Sequence, residues 1–318
     1  MNKIFMQKKV LKWLLVIFRH TILIGLAFIV LYPMLFMLSN AFKPFAQAQD
    51  PAVVWIPRSF TLENFRDVIL VTDFFTSLLN TILYTVLPTF VQIGVCMYVG
   101  YGFARFRFPL KKFLFAVVLL TVIVPPISIS TGLFRTFFQF NPFGLFTLLN
   151  TITGGLVPPS INLIGSHFVT LIPAMLASSL RSGLYILIFR QFFASMPREL
   201  EEAARIDGCG AIKTFSRVMA PNAMNICITT LMLAIVWNWN DYYTAATYIR
   251  SHYTIAKSLS ELQIFLRDIL QGGAETMYIA TTRIQAGCLL GILPLLVMYL
   301  FFQRKLTESI ETAGLTGM

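Results

Sequence analysis

Charge is what this sequence has least of. Only 12% of its 318 residues are Asp, Glu, Lys or Arg, about half the share in a soluble domain, while 57% are hydrophobic. Apolar surface at that density would aggregate in water, so the composition points away from a soluble globule and toward a membrane protein. Acids are scarcer than bases, 14 against 25, for a net charge of +11. That excess does not indicate nucleic acid, because Lys and Arg flank apolar runs and build no basic face. Cysteine and histidine are sparse too. Cys96, Cys209, Cys227 and Cys288 stand far apart without a CxxC, and His20, His167 and His252 are equally scattered, which predicts neither a disulfide framework nor a metal cluster. A phosphate loop is missing: Gly208-Cys-Gly-Ala-Ile-Lys213-Thr214 lacks the Gly that a Walker A sequence places directly before its Lys. No cofactor is expected in this chain, so any ATP hydrolysis belongs to another polypeptide.

What the sequence does have is long apolar runs. A bilayer core needs about 20 apolar residues of helix, and charge-free stretches of that order lie at 21–42, 74–104, 113–134, 218–240 and 284–303. A sixth at 168–193 is interrupted only by Arg181 and Arg190. Backbone polar groups find no water in lipid, so these runs predict an all-α fold of six transmembrane helices. The first run has Lys3, Lys8, Lys9 and Lys12 ahead of it and an Ala46-Gln47-Ala48 triplet after it, which superficially resembles a signal peptide. Its uncharged length exceeds a signal h-region, so an uncleaved signal anchor is expected.

With the N-terminus inside, cytoplasmic segments carry 16 of the 25 Lys and Arg residues. That bias favours both termini in the cytoplasm. The organisation expected is a cytoplasmic segment at 1–20, a transmembrane domain at 21–303 with a cytoplasmic loop at 194–221, and a cytoplasmic tail at 304–318. Residues 136–166 are also uncharged, but Pro142, Gly144, Gly154, Gly155, Pro158 and Pro159 break them up, so an external or re-entrant segment is expected. No internal repeat marks a secondary transporter.

The loop between the fourth and fifth runs is the most informative stretch. Pro197 suits a first helical turn, and Glu199, Glu201 and Glu202 complement the positive end of a helix. Leu200, Ala203, Ala204 and Asp207 recur at helical spacing as a narrow face with two small residues. Gly208 and Gly210 supply a turn that permits positive φ. A second short helix is predicted with Ile212, Phe215 and Met219 on one side, ending before Pro221. Such a helix–Gly–helix offers a shaped knob to a partner's groove, although an ordinary hairpin between spans would look similar.

The run Glu202-Ala203-Ala204, three residues, Gly208, nine residues, then Val218-Met219-Ala220-Pro221 resembles the EAA loop of ABC importer permeases. Ala220 departs from the usual Ile-x-Leu-Pro ending, and Val218 does so conservatively. Arg205-Ile206-Asp207-Gly208 resembles the carbohydrate branch closely. Tyr32-Pro33, Phe60–Phe65, Asn80–Tyr84, Tyr101–Pro109, Trp237–Asp241, Gln303-Arg304 with Gly314 and Gly317 resemble further landmarks, in order, of the maltose-type inner-membrane permease group. This resemblance implies a type I ABC importer-like fold in a bacterial plasma membrane, and half of the pathway for ATP-driven uptake of a sugar or oligosaccharide. Another polar solute, such as a polyol or glycerol phosphate, is the alternative. It implies a second homologous permease subunit, two cytoplasmic ATPase subunits that bind ATP-Mg, and an extracytoplasmic solute-binding protein. Glu202, Ala203, Ala204, Arg205, Asp207 and Gly208 would then dock the ATPase.

Substrate-path candidates are Arg181, Trp237, Asn238 and Asn240. Arg181 lies within an expected span, where charge is expensive; it either faces the pathway or a sister subunit, or snorkels to an interface. Arg190 reads as an interfacial anchor. Trp237, Asn238, Trp239, Asn240 and Asp241 combine rings and amides that suit a sugar, but aromatic residues also mark membrane interfaces generally. An ion-coupled transporter would need intramembrane carboxylates, and a membrane enzyme a convergent nucleophile or metal set; the expected spans offer neither.

Overall fold

The computed structural model describes residues 2–48, 50–269 and 276–315. Their regular structure is helical throughout, apart from one isolated antiparallel bridge between Phe140 and Ile161. The principal helices are α1 (Asn2–Ala41), α2 (Glu63–Val71), α3 (Phe74–Arg105), α4 (Lys111–Ile123), α5 (Pro126–Phe138), α6 (Leu145–Ile152), α7 (Phe168–Met175), α8 (Ser182–Ser195), α9 (Glu199–Ile206), α10 (Ala211–Asn222), α11 (Met224–Trp239), α12 (Ile255–Ile269) and α13 (Thr276–Leu315). Gly317 lies outside the described residues.

Among the described residues three helices are long and apolar enough to cross a membrane, namely α1, α3 and α13, and two more spans are possible if each bent pair counts as one. The other three apolar runs are broken. The run at 113–134 bends by 104° between α4 and α5, because Val124 precedes the Pro125-Pro126 pair and is pushed into extended backbone (φ −69°, ψ 121°). The run at 218–240 bends by 76° between α10 and α11. There the expected stop before Pro221 is displaced: a π-turn at Phe215–Met219 carries the helix past the proline, and the break falls at Ala223.

The expected helix at 168–193 is two helices, α7 and α8. Between them Ala177 and Arg181 take φ of +51° and +62°. Ser178, Ser179, Ser182 and Gly183 crowd this stretch with weak helix formers, which apolar character alone does not register.

The chain forms two compact units. The first holds residues 1–73 and 261–292. In it Lys43 is buried, and its ammonium donates to Asn40 Oδ1 at 2.9 Å and to the Val53 and Val54 carbonyls at 2.8 Å each. Burial pulls its pKa below the usual lysine range. Asn64 donates to the Ala41 and Lys43 carbonyls at 2.9 Å and accepts from Thr282 at 3.1 Å. Arg283 Nε meets Asp67 at 2.7 Å.

The second unit holds residues 74–260 and 293–318. Its core is centred on α3 and α8, with Ile93, Cys96, Tyr101, Tyr185, Ile186, Phe189 and Phe193 buried together. Helix α8 is gripped through glycines. A Cβ on Gly100 of α3 would lie 2.7 Å from Phe189 Cβ, and one on Gly183 of α8 would lie 2.7 Å from the Val118 carbonyl of α4. Small residues permit such approach, as in membrane helix packing generally.

Candidate docking loop and membrane polar cluster

The loop at 196–222 is built on α9, which begins at Glu199, just after Pro197. Its end is capped by a Schellman arrangement. Gly208 has φ +77°, its N–H reaches the Arg205 carbonyl at 3.0 Å, and Cys209 N–H reaches the Ala204 carbonyl at 2.9 Å. Gly208 thus supplies the positive φ anticipated for this turn, while Gly210 has φ −71° and opens α10.

The face expected from Leu200, Ala203, Ala204 and Asp207 does not form as one surface. Ala204 is buried beside Glu201, Leu200 is half-buried, and Ala203 and Asp207 are exposed. The outward surface consists instead of Glu202, Ala203, Arg205, Ile206, Asp207 and Gly208, with Ile206 86% exposed. In the second helix Met219 is buried and Phe215 packs on the core, but Ile212 is 71% exposed. Two large apolar side chains therefore project from an otherwise polar knob.

Behind the knob lies an ion pair that the sequence did not disclose. Arg105, the last residue of α3, brings Nε within 3.3 Å of Glu201 Oε1, with side chains 6% and 8% exposed. The Nε–H does not align on that oxygen as a hydrogen bond, so the contact is electrostatic. Arg105 also donates through Nη2 to the Met196 carbonyl at 2.6 Å, and Arg205 approaches the other Glu201 oxygen at 4.0 Å. The pair is 96 positions apart in the chain, beyond any local pattern.

A second polar cluster lies where α7 gives way to α8. Breaking that helix frees the Leu180 carbonyl, and Gln92 of α3 takes it, donating at 2.8 Å. The same amide group donates to Ser182 Oγ at 2.9 Å and accepts from Asn238 at 3.3 Å, while Asn238 also donates to Thr89 at 2.8 Å. Freed backbone groups in a membrane need such partners. Arg181 stands at the break, exposed, with its guanidinium 4.6 Å from the centroid of Trp237. Trp237 stacks in turn on Tyr185 at 6.4 Å. Tyr185 is wholly buried, and its hydroxyl has no hydrogen-bond partner among the described residues.

Three of the four substrate-path candidates, Arg181, Trp237 and Asn238, are thus brought together. Asn240 is not; it is exposed and donates to its own helix at Val236. Asp241 caps the following turn through Thr244. Arg190 lies 4.2 Å from the Phe115 ring. The histidines are less scattered than the sequence implied, since His167 and His252 both lie against Tyr84, at 4.1 and 5.1 Å between ring centroids. Thr89, Gln92, Ser182 and Tyr185 were missed, although Gln92 is a polar residue in an uncharged run and carried a signal.

A helical membrane protein with an exposed, internally braced loop and a polar cluster among its apolar helices is the class these features define. Residues 92–308 match the family described as binding-protein-dependent transport system inner membrane component. The match covers more than half of the chain, and the chain belongs to that family. Among curated proteins it is 25% identical over 299 residues to protein LplC of Bacillus subtilis (strain 168), covering 92% of each. It is 26% identical over 297 residues to the trehalose transport system permease protein SugB of Mycobacterium tuberculosis (strain CDC 1551 / Oshkosh), covering 93% of this chain and 95% of SugB. To the arabinooligosaccharides transport system permease protein AraQ of Halalkalibacterium halodurans it is 24% identical over 313 residues, covering 97% and 98%. Among solved structures, one chain of a bacterial ABC transporter involved in the import of the acidic polysaccharide alginate is similar with a TM-score of 0.67 and 21% identity, covering 91% of this chain and 95% of that one; this likeness concerns the fold. The protein is therefore a multi-pass cell-membrane permease, a transport subunit rather than an enzyme, and its family works with an ATPase and a solute-binding protein.

Proposed function

We propose that this chain forms half of the membrane pathway of an ATP-driven importer of sugars or oligosaccharides, and that α9 and its Gly208 cap are the element that docks an ATPase. Residues 194–222 are then cytoplasmic, as are both termini, and six spans carry the pathway. ATP and its Mg2+ are held by two partner ATPase subunits. A second homologous permease completes the pore, and a binding protein delivers solute outside. Closure of the ATPases moves the docked helices and tips the spans between inward- and outward-facing states. The named relatives support a sugar as the solute, since SugB and AraQ are called permeases for trehalose and arabinooligosaccharides.

What supports the docking role above all is the combination of an outward surface at Glu202, Ala203, Arg205, Ile206, Asp207 and Gly208 with a buried ion pair behind it. An exposed Ile206 on a rigidly held helix is the kind of anchor that a partner's groove receives. Around the Arg181–Trp237 pair, Asn238 and Gln92 supply hydrogen-bonding groups, and a ring face with amides suits a hydroxylated solute.

The test is Gly208→Arg in the assembled transporter. A Cβ at Gly208 meets no atom within 4 Å in this chain, and the strain that a φ of +77° puts on a side chain falls on the exposed cap alone. The variant should therefore insert and co-purify with its companion permease while solute-stimulated ATPase activity is lost; Gly208→Asn, which tolerates that φ, controls for the backbone. Coupling at the wild-type level would refute the docking assignment.

A further inference from the structure

Residues 141–157, which the ion-pair loop and the polar cluster leave unused, satisfy their polar side chains internally and turn an apolar face outward. Their polar side chains are Asn141, Thr147, Asn150, Thr151 and Thr153, and every one is hydrogen-bonded within the segment. Asn141 donates to Thr147 Oγ1 at 2.7 Å and accepts from Phe146 N–H at 2.9 Å. Asn150 donates to the Val157 carbonyl at 2.6 Å. Thr151 and Thr153 donate to the Thr147 and Leu149 carbonyls at 3.0 and 2.7 Å.

Most of the large apolar side chains face outward, while Phe146, Leu149 and Val157 are half-buried. Leu145, Leu148 and Ile152 are exposed at helical spacing along one face of α6, flanked by Phe143 and Leu156, which are 109% and 87% exposed. The neck of the segment is closed by paired backbone bonds between Phe140 and Ile161 at 2.9 and 3.0 Å.

We infer that this segment lies in the membrane–water boundary with the face formed by Phe143, Leu145, Leu148, Ile152 and Leu156 in lipid. In water the arrangement would expose apolar area while spending polar groups on the chain itself; in lipid, where no solvent can satisfy them, it is the favoured one. No charged residue occurs between Arg135 and Arg181, so nothing opposes immersion, whereas a segment facing water or a polar protein surface would gain from charge. The segment also continues directly from α5, half of an apolar bent pair. Helix α6 is about 12 Å long, too short to span, and lies along the boundary rather than across it.

The experiment uses the full transporter in proteoliposomes. Single cysteines replace Leu145, Leu148 and Ile152 in turn, with Thr147→Cys on another face, and each carries an environment-sensitive fluorophore. The parent chain, labelled in parallel, sets the background of its native cysteines. Emission from positions 145, 148 and 152 should be blue-shifted relative to position 147, and should be quenched by lipids brominated on their acyl chains but not by aqueous iodide. The pattern should hold with and without the solute-binding protein. Iodide quenching at the three apolar positions would overturn the inference. So would protection that appears only on adding the binding protein, or that resists both quenchers, since those results would place a protein on this face. Three independent positions keep the result decidable if one variant fails to assemble.

Discussion

Lys43 and Glu201 are both charged side chains taken out of water, and each is compensated differently. Lys43 has three ammonium donors and three oxygen acceptors around it, none a carboxylate. Lys43→Met would keep the stem but leave Asn40 and the buried Val53 carbonyl without their donor, at a cost of about 1–3 kcal/mol for each group stranded, and the part-buried Val54 carbonyl at a lower cost. A lower melting temperature of the purified protein, with transport per folded molecule retained, is the expected result. Glu201 instead relies on Arg105. Removing the carboxylate strands a buried guanidinium, which costs about 3–5 kcal/mol, so Glu201→Ala should destabilise more than Glu202→Ala, whose side chain is exposed. Thermal unfolding in detergent compares the two directly. Neither partnership was legible in the sequence. The pattern on α9 suggested Ala203 and Ala204 as a shared face, but tertiary contacts decide which residues turn inward: Arg105 on Glu201, and the packing of α9 against the Phe215–Met219 turn.

At the scale of elements, glycine placement separates backbone need from contact need. Gly208 is required by a φ of +77°, a conformation that Asn tolerates and most side chains do not. Gly208→Asn should preserve the cap. If ATPase coupling also survives in Asn but not in Arg, the partner surface leaves room for a small side chain; if both fail, the partner closes on the backbone itself. Solute-stimulated ATPase activity distinguishes these outcomes. Gly183 is required by proximity instead. Gly183→Leu should drive α8 from α4 and lower the yield of folded protein, detectable by size-exclusion chromatography, while the same change at Gly25, which has open space around it, should be tolerated. Apolar runs located α1, α3 and α13 well in the sequence, because uninterrupted hydrophobicity is a strong signal. They overestimated continuity at 113–134, 168–193 and 218–240, where a proline pair, a serine-rich break and a π-turn redirect the backbone without altering apolar content.

At the scale of the whole molecule, the sequence reached the class through order as well as composition, since the EAA-like loop falls between the expected fourth and fifth spans. Family membership bears out the permease reading, while the sidedness of each loop follows from charge bias alone. A membrane-impermeant thiol reagent should modify Cys209, which is half-exposed at the loop, in inside-out vesicles and not in intact cells. Modification from outside would invert the topology. Substrate chemistry was the least legible part. Arg181, Trp237 and Asn238 were identifiable as polar or aromatic residues in an apolar setting; Gln92 carried the same signal, but its role of joining the broken helix to α11 becomes legible only once the Leu180 carbonyl to which it donates has a position.

The bond from Arg105 to Met196 and its ion pair with Glu201 leave the loop little slack. One guanidinium ties the foot of α3 to the exit of α8 and to the first turns of α9, so a shove on the knob is shared between two core helices at once. On the far side the Gly208 cap and the bond from Thr214 N–H to the Gly210 carbonyl at 2.9 Å hold the turn into α10 as well, so the loop is braced at both of its ends.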